Sequence, residues 1–213
     1  MGTGITEQDR IDSRHQGATR RAGNESVLWC YHEGKQTVDR ELPKFRFHLD
    51  PIGNKVIVES EAECPICNQK TGYAYAGPFF SVEDVENICP WCIANGEAAK
   101  KYKGSFQDDE SIESEISEEE LHELIHRTPG YCGWQQEQWL VHCNSPCTFV
   151  GYVGWNEIKD QLDRFIDIEE DCRQFNGMEI EQLSEYLVER GACQGYLFEC
   201  THCHGYRLYI DVD

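Results

Sequence analysis

Apolar positions along this chain fall into short stretches whose period changes several times. From Leu42 the segment LPKFRFHLDP alternates apolar and polar residues until Pro51 closes it, and KVIVES predicts a short strand. A second strand is expected around Tyr73 and Tyr75, after the turn CPIC. SVEDVENICPWCIANGEAAKKY puts another CxxC pair at the start of a helix, with Ser81 able to cap a preceding turn. Ser117 and Glu120 form a capping-box pattern that opens a helix from about Glu118 to Arg127, and Pro129 with Gly130 must end it. WQQEQWLVHC fits a strand or a helix equally, whereas TFVGYVGW predicts a strand. NEIKDQLDRFIDI places Ile158, Leu162, Phe165 and Ile166 on one helical face. MEIEQLSEYLVERG repeats the pattern with Ile180, Leu183 and Leu187, and Gly191 is its expected C-cap. GYLFEC and YRLYIDV predict strands flanking a third CxxC pair.

These elements imply an α+β fold of two small modules, each made of CxxC knuckles with short antiparallel strands and stabilised by zinc. The first is expected over residues 42–104 and the second over 129–213, joined by an acidic linker and helix at 105–128. Residues 1–41 read as an extension. Its first 26 residues lack any apolar period and predict disorder, with Trp29, Cys30, Tyr31 and His32 as a local docking segment.

Charge narrows the function classes. The formal net charge is -20, and nine acidic residues with no basic one lie between Asp108 and Glu123. Sequence-independent binding of nucleic acid needs a basic surface that neutralises phosphates, so that class is excluded, as are anionic membrane surfaces. A basic protein partner fits better. No stretch approaches the roughly 18 apolar residues of a membrane span, and the N-terminus lacks the apolar core of a secretory signal. A cytoplasmic location is therefore expected. In that reducing compartment the 12 cysteines are not a disulfide framework, and their spacing becomes the question.

Cys64 and Cys67 form one CxxC pair, and Cys89 and Cys92 form another after 21 intervening residues. A CxxC turn aims two sulfurs at one ion, and two such turns complete a tetrahedral shell with no open position. Zinc is the expected metal, with iron as the alternative for a four-sulfur site. CPWC at a helix start also suggests a thiol oxidoreductase, because a helix N-terminus lowers a thiol pKa. The second CPxC pair has no part in that chemistry. Cys143, Cys147, Cys200 and Cys203 form the second expected quartet, a less regular pattern in which His142, His202 or His204 can replace one cysteine. Cys30, Cys132, Cys172 and Cys193 show no pairing pattern and read as free thiols, with Cys30 and His32 a remote further half-site.

HELIH, at His122, Glu123 and His126, matches the HExxH pattern in which two histidines one turn apart hold zinc and the glutamate acts as general base. Glu157 is a conceivable third ligand. The motif sits in a solvated acidic run, however, and Pro129 stops its helix just past the second histidine. An amphipathic linker helix burying Leu121, Leu124 and Ile125 accounts for the same residues.

The blocks LPKFRFHLDP, CPICNQKTGY, ICPWCIANGEAAKKY, RTPGY, WQQEQWLVHC, FVGYVGW and YLFECTHCHGYRLYIDVD, in that order, resemble the CbrC family over residues 42–213. That bacterial family is named for a protein linked to colicin E2 tolerance. The resemblance implies that Cys64, Cys67, Cys89, Cys92, Cys143, Cys147, Cys200 and Cys203 are its paired cysteines. It implies no catalytic residue and suggests a role in stress or toxin tolerance. The leading expectation is a non-enzymatic protein with two structural zinc ions that recognises another macromolecule, with aromatic residues such as Tyr73, Phe79, Trp134 and Trp139 as core or contact surface. An acidic, immunity-like binder of a basic toxin, a metallohydrolase using HELIH and a thiol oxidoreductase using CPWC are the alternatives.

Overall fold

The computed structural model describes residues 40–108, 112, 116–135 and 137–213. The expectations for Trp29, Cys30, Tyr31 and His32, and much of the acidic linker, lie outside these residues.

The chain first forms an antiparallel hairpin of β1 (Ile57–Glu63) and β2 (Lys70–Tyr75), in register from Ile57 opposite Tyr75 to Ser60 opposite Gly72. Two short helices follow, α1 (Pro90–Ala94) and α2 (Glu97–Tyr102), turned against each other at Gly96, whose φ of 76° suits a residue without a Cβ. Hairpin and helices enclose a core of Val56, Ile57, Tyr75, Ile88, Trp91, Ile93 and Phe106. Next comes α3 (Glu118–Arg127), opened by Ser117, whose side chain accepts the Glu120 N–H.

The rest of the chain is built on a sheet. A small ribbon of β3 (Val141–His142) and β4 (Ser145–Pro146) leads into β5 (Thr148–Val153), then α4 (Trp155–Ile158), a 3₁₀ turn over Lys159–Arg164, α5 (Ile168–Asn176) and α6 (Ile180–Tyr186). β6 (Cys193–Glu199) and β7 (Tyr206–Val212) complete an antiparallel sheet in the order β5-β6-β7. The central strand is buried on both faces. Tyr196 and Phe198 face an aromatic core with Phe47, Tyr131, Trp139, Phe149 and Tyr209. Leu197 faces the opposite, largely aliphatic core of Ile158, Leu183, Leu208 and Ile210 beneath the helices. This is a mixed fold of helices and small antiparallel sheets, so the α+β class holds.

The anticipated split at 42–104 and 129–213 meets several segments that serve both halves. Phe47 and His48 belong to the sheet side: the Leu49 N–H donates to the Phe149 carbonyl at 2.9 Å, and the Phe149 N–H to the Phe47 carbonyl at 2.8 Å. His48 is fully buried. Its Nδ1 lies 2.9 Å from the Pro129 carbonyl and its Nε2 3.1 Å from the Asn54 amide nitrogen, a pairing that fits a neutral ring with its proton on Nδ1. Burial drives its pKa down from 6.5 to about 4, against the opposing pull of the Pro129 carbonyl and Asp50. Gly130 marks another close approach. Its N–H donates to Tyr75 Oη at 3.0 Å, and a Cβ there would meet the Phe106 carbonyl at 2.6 Å. The helix α3 contacts both sides: the Phe106 N–H donates to the Ile125 carbonyl at 2.8 Å, and Glu120 reaches Arg46 at 2.7 Å and Ser145 at 2.9 Å. The described residues form one unit as a result.

Two helical expectations changed. The single helix expected through Ile158 and Ile166 breaks after Arg164, because Phe165 bridges to Tyr206 and the Ile166 N–H donates to the Tyr206 carbonyl at 3.0 Å. The second ends at Tyr186 rather than near Gly191; Leu187 turns to extended backbone and packs in the aliphatic core. WQQEQWLVHC is mostly irregular, with a strand only at Val141–His142. No helix among the described residues is long and apolar enough to cross a membrane.

Candidate metal centres

Two groups of side chains bring one ligand atom from each of four residues within 4.8 Å of one another. The first is Cys64, Cys67, Cys89 and Cys92. The second is His142, Cys143, Cys200 and Cys203. All of these cysteines are free thiols.

Half of each group comes from the same backbone device. Between β1 and β2 the chain turns through Cys64, Pro65, Ile66 and Cys67. The Cys64 N–H donates to the Gln69 carbonyl at 3.0 Å, and the Asn68 N–H donates to the Cys64 carbonyl at 2.8 Å. Asn68 takes a φ of 56°, a left-handed conformation that asparagine tolerates. Between β6 and β7 the turn at Cys200, Thr201, His202 and Cys203 repeats this. The Cys200 N–H donates to the Gly205 carbonyl at 2.9 Å, the His204 N–H to the Cys200 carbonyl at 3.1 Å, and His204 has a φ of 58°. In each turn the first sulfur receives backbone N–H groups, at 3.4 Å from Cys89 to Cys64 Sγ and at 3.4 Å from His202 to Cys200 Sγ.

The other halves differ. Cys89 is the N-cap of α1 and Cys92 lies within it; Pro90 at the first helical position costs no hydrogen bond, and the Cys92 N–H closes on the Cys89 carbonyl at 3.0 Å. In the second group the completing residues come from the tight turn between β3 and β4, where His142 faces Ser145 across the ribbon and Cys143 and Asn144 have φ of 53° and 55°. Two successive positive values are the signature of a two-residue hairpin turn.

The spacings fit a tetrahedral centre. Zinc–sulfur bonds near 2.3 Å and zinc–nitrogen bonds near 2.0 Å put sulfurs about 3.8 Å apart and sulfur and nitrogen about 3.5 Å apart. Cys67 and Cys89 sulfurs are separated by 3.8 Å. His142 Nδ1 lies 3.3 Å from Cys200 Sγ, 3.2 Å from Cys143 Sγ and 3.5 Å from Cys203 Sγ. The thiols are electrostatically primed for a cation. The hydrogen bond from Cys89 holds the Cys64 thiol down at about 4, whereas the same interaction, with burial, pushes Cys89 far up. Burial raises Cys92 to about 12. Burial also works against ionising Cys200, yet the N–H groups of Cys203 and His202 and the His142 ring outweigh it and bring that thiol to about 6. Cys64 in one group and Cys200 in the other are thus held toward the thiolate, the form that takes up a cation.

Cys147 lies outside the second group, in contrast to the sequence expectation. It is fully buried in the aromatic core, its N–H donates to the Leu140 carbonyl at 2.9 Å, and its carbonyl accepts from Trp139 Nε1 at 2.9 Å. Burial raises its thiol to about 12. His142 takes the fourth place because the turn at Cys143 and Asn144 brings it alongside the knuckle, while the chain leaving the ribbon turns Cys147 inward. The signal available in sequence was the His142-Cys143 pair followed by Asn144, a residue suited to positive φ.

The other candidates separate from these groups. His122 and His126 share a face of α3, with ring centroids 4.6 Å apart, but neither belongs to a convergent four-ligand group among the described residues. Leu124 and Ile125 are buried, and Glu157 caps α4 by accepting the Gly154 N–H at 2.8 Å. Cys89 and Cys92 are buried and share their centre with Cys64 and Cys67, so they do not stand alone as a redox pair. Cys172 and Cys193 are buried and Cys132 is exposed.

The family model described as "Uncharacterised protein family (UPF0167)" matches residues 42–212, which include both groups. The chain belongs to the UPF0167 family. UPF0167 protein Mb2317 of Mycobacterium bovis is 37% identical over 176 residues, covering 81% of this chain and 94% of that protein. UPF0167 protein MT2352 of Mycobacterium tuberculosis gives the same figures. UPF0167 protein PA1536 of Pseudomonas aeruginosa is 35% identical over 180 residues, covering 81% and 97%. No solved structure matches the chain. UPF0167 membership carries no activity with it. The convergent side chains therefore supply the functional argument.

Proposed function

We propose that this UPF0167 protein is a non-enzymatic, cytoplasmic zinc protein that acts by recognising another macromolecule, with a protein as partner. Cys64, Cys67, Cys89 and Cys92 hold one structural ion, and His142, Cys143, Cys200 and Cys203 hold the other. The carrying observation is the closure of each group: four ligand atoms within 4.8 Å leave no position for a substrate, so the metal stabilises and does not catalyse. Metal analysis with X-ray absorption spectroscopy tests it. Two zinc ions per chain with an average shell of about 3.5 sulfurs and 0.5 nitrogen each are expected, from one four-sulfur and one three-sulfur centre. A single zinc, or a shell of sulfur alone, overturns the assignment.

An immunity-like role is the second reading. It is favoured by the net charge of -20 and by Glu59, Glu61 and Glu63, which are exposed at alternate positions of β1. An acidic surface steers a basic partner and does so less as salt rises. The resemblance to the CbrC family points to colicin tolerance as the setting. Capture of a basic nuclease domain at low salt, and its release at high salt, is expected on this reading; capture that ignores salt counts against it.

A further inference from the structure

A cleft of about 400 Å³ lies apart from both sulfur groups. Tyr152 at the end of β5, Trp134, Gln194 of β6, Lys55 and Arg190 all line it. Its volume is within the range of small-molecule sites. Trp134 keeps 54% of its surface exposed beside the cleft, and its indole N–H is already spent on the Gly191 carbonyl at 3.2 Å. Its free feature is the ring. Gln194, 5% exposed, brings a buried amide to the lining.

In a chain of net charge -20, two cations lie on one lining, and both Lys55 and Arg190 hold left-handed backbone, with φ of 63° and 59°. Such conformations cost of order 1 kcal/mol or more and persist where the surroundings hold them. The Arg190 guanidinium lies 5.8 Å from the Tyr152 ring centroid, within cation–π range. Three carboxylates are near. Glu189 approaches Arg190 Nε at 3.7 Å and leaves its other nitrogens available. Asp211 is buried, and its Oδ2 accepts the N–H groups of Trp134 and Gln135 at 2.9 Å each. Burial raises the pKa of the Glu137 carboxyl. Cys132 also lines the cleft; though the residue is exposed, partial desolvation of its sulfur and the charge of Glu137 raise its thiol, so it is not primed for attack on a ligand.

We propose that this cleft binds a small planar aromatic anion, its ring against Tyr152 and Trp134 and its charged group between Lys55 and Arg190. The site is non-covalent and independent of the metal assignment.

The test titrates the metal-replete full chain with 1-anilinonaphthalene-8-sulfonate, read by calorimetry and dye fluorescence. One site per chain is expected. Affinity should fall roughly tenfold in Trp134→Ala and roughly fivefold in both Arg190→Gln and Lys55→Gln, with the neutral analogue N-phenyl-1-naphthylamine binding roughly tenfold more weakly. Lys55 is exposed, so that variant keeps the test usable if another fails to fold. Absence of one-site binding, wild-type affinity in the Lys55 and Arg190 variants, or equal binding of the neutral analogue overturns the proposal.

Discussion

The two sulfur groups share one knuckle geometry but differ in what surrounds them. Cys64, Cys89 and Cys92 are at most 4% exposed, and the core around them contains little besides one hairpin and two short helices. Cys143 and Cys203 are exposed and His142 is partly so, yet the sheet beside them is buried on both faces of its central strand. The buried centre belongs to a region with a single core cluster, and the exposed centre to a sheet packed on both faces by two. A small module that cannot bury enough apolar surface depends on its metal, whereas a packed sheet can survive without it.

The largest expected effect follows from this contrast. Cys89→Ser should remove one metal and unfold the region built on β1, β2, α1 and α2, since binding at such sites contributes on the order of 10 kcal/mol. Cys203→Ser should remove the other metal and leave the β5-β6-β7 sheet folded. Metal content with residue-resolved amide exchange checks both: protection should be lost at Tyr75 and Ile88 in the first variant and kept at Tyr196 and Phe198 in the second. Equal unfolding in both variants would erase the distinction.

Next in size is the support of the exposed centre. Asp171 of α5 is 1% exposed at its side chain and accepts from Arg207 at 2.8 and 2.7 Å and from the Leu208 N–H at 2.9 Å. Arg207 also donates to the Val141 carbonyl at 3.2 Å, one residue before His142. Burial raises the Asp171 carboxyl despite that partner. Arg207→Ala leaves an unpaired buried carboxylate and should cost about 3–5 kcal/mol in urea unfolding, with Asp171→Asn restoring part of it in the double variant. Tenfold faster loss of the second metal to a chelator should accompany it.

These contrasts bear on what sequence can reveal. Convergence of Cys64, Cys67, Cys89 and Cys92 was legible because both CxxC turns are local and their spacing is regular. The strands around Tyr73, Thr148 and Tyr206 and the capped helix at Ser117 were legible for the same reason, since period and capping are short-range properties. The second group depended on a tertiary pairing that no local pattern encodes. In a ribbon, a small change in turn geometry decides which residue faces the knuckle. The helix α5 was missed because its inward residues include Asp171 and Cys172, which give no apolar stripe. Phe165 and Ile166 left their expected helix because Tyr206, far along the chain, competed for them.

His48 lies where the two regions meet, and its effect is somewhat smaller. Its folded pKa of about 4 lies below the unfolded value of 6.5, so the unfolded chain takes up the proton first as pH falls. Its stabilisation is complete above about pH 6.5, declines as pH drops toward 4 and changes no further below that. The total is about 3 kcal/mol. Urea midpoints of wild type and His48→Asn, compared from pH 7.5 to 4.5, should converge toward the acid end. A constant difference would mean that the buried ring is not the titrating group.

The smallest energetic effect carries the sharpest distinction, because it separates Cys147 from His142. Cys147 lies in the aromatic core, where a serine hydroxyl would be buried in place of a thiol. Cys147→Ser should therefore cost about 1–3 kcal/mol as a buried polar group while retaining both metals. His142→Ala removes the Nδ1 atom lying within 3.5 Å of three sulfurs, so it should lose one metal and shift the remaining average shell to sulfur alone. The reverse outcome, metal lost with Cys147 and kept without His142, would require the ribbon to turn over and present its other face to the knuckle. That rearrangement would break the Cys147–Leu140 backbone hydrogen bond and the Trp139 indole contact together, and amide exchange at Cys147 would report it. Cys147→Ser thus lowers stability with both metals kept, whereas His142→Ala lowers metal content. Only a four-ligand shell of three sulfurs and one nitrogen makes them do so.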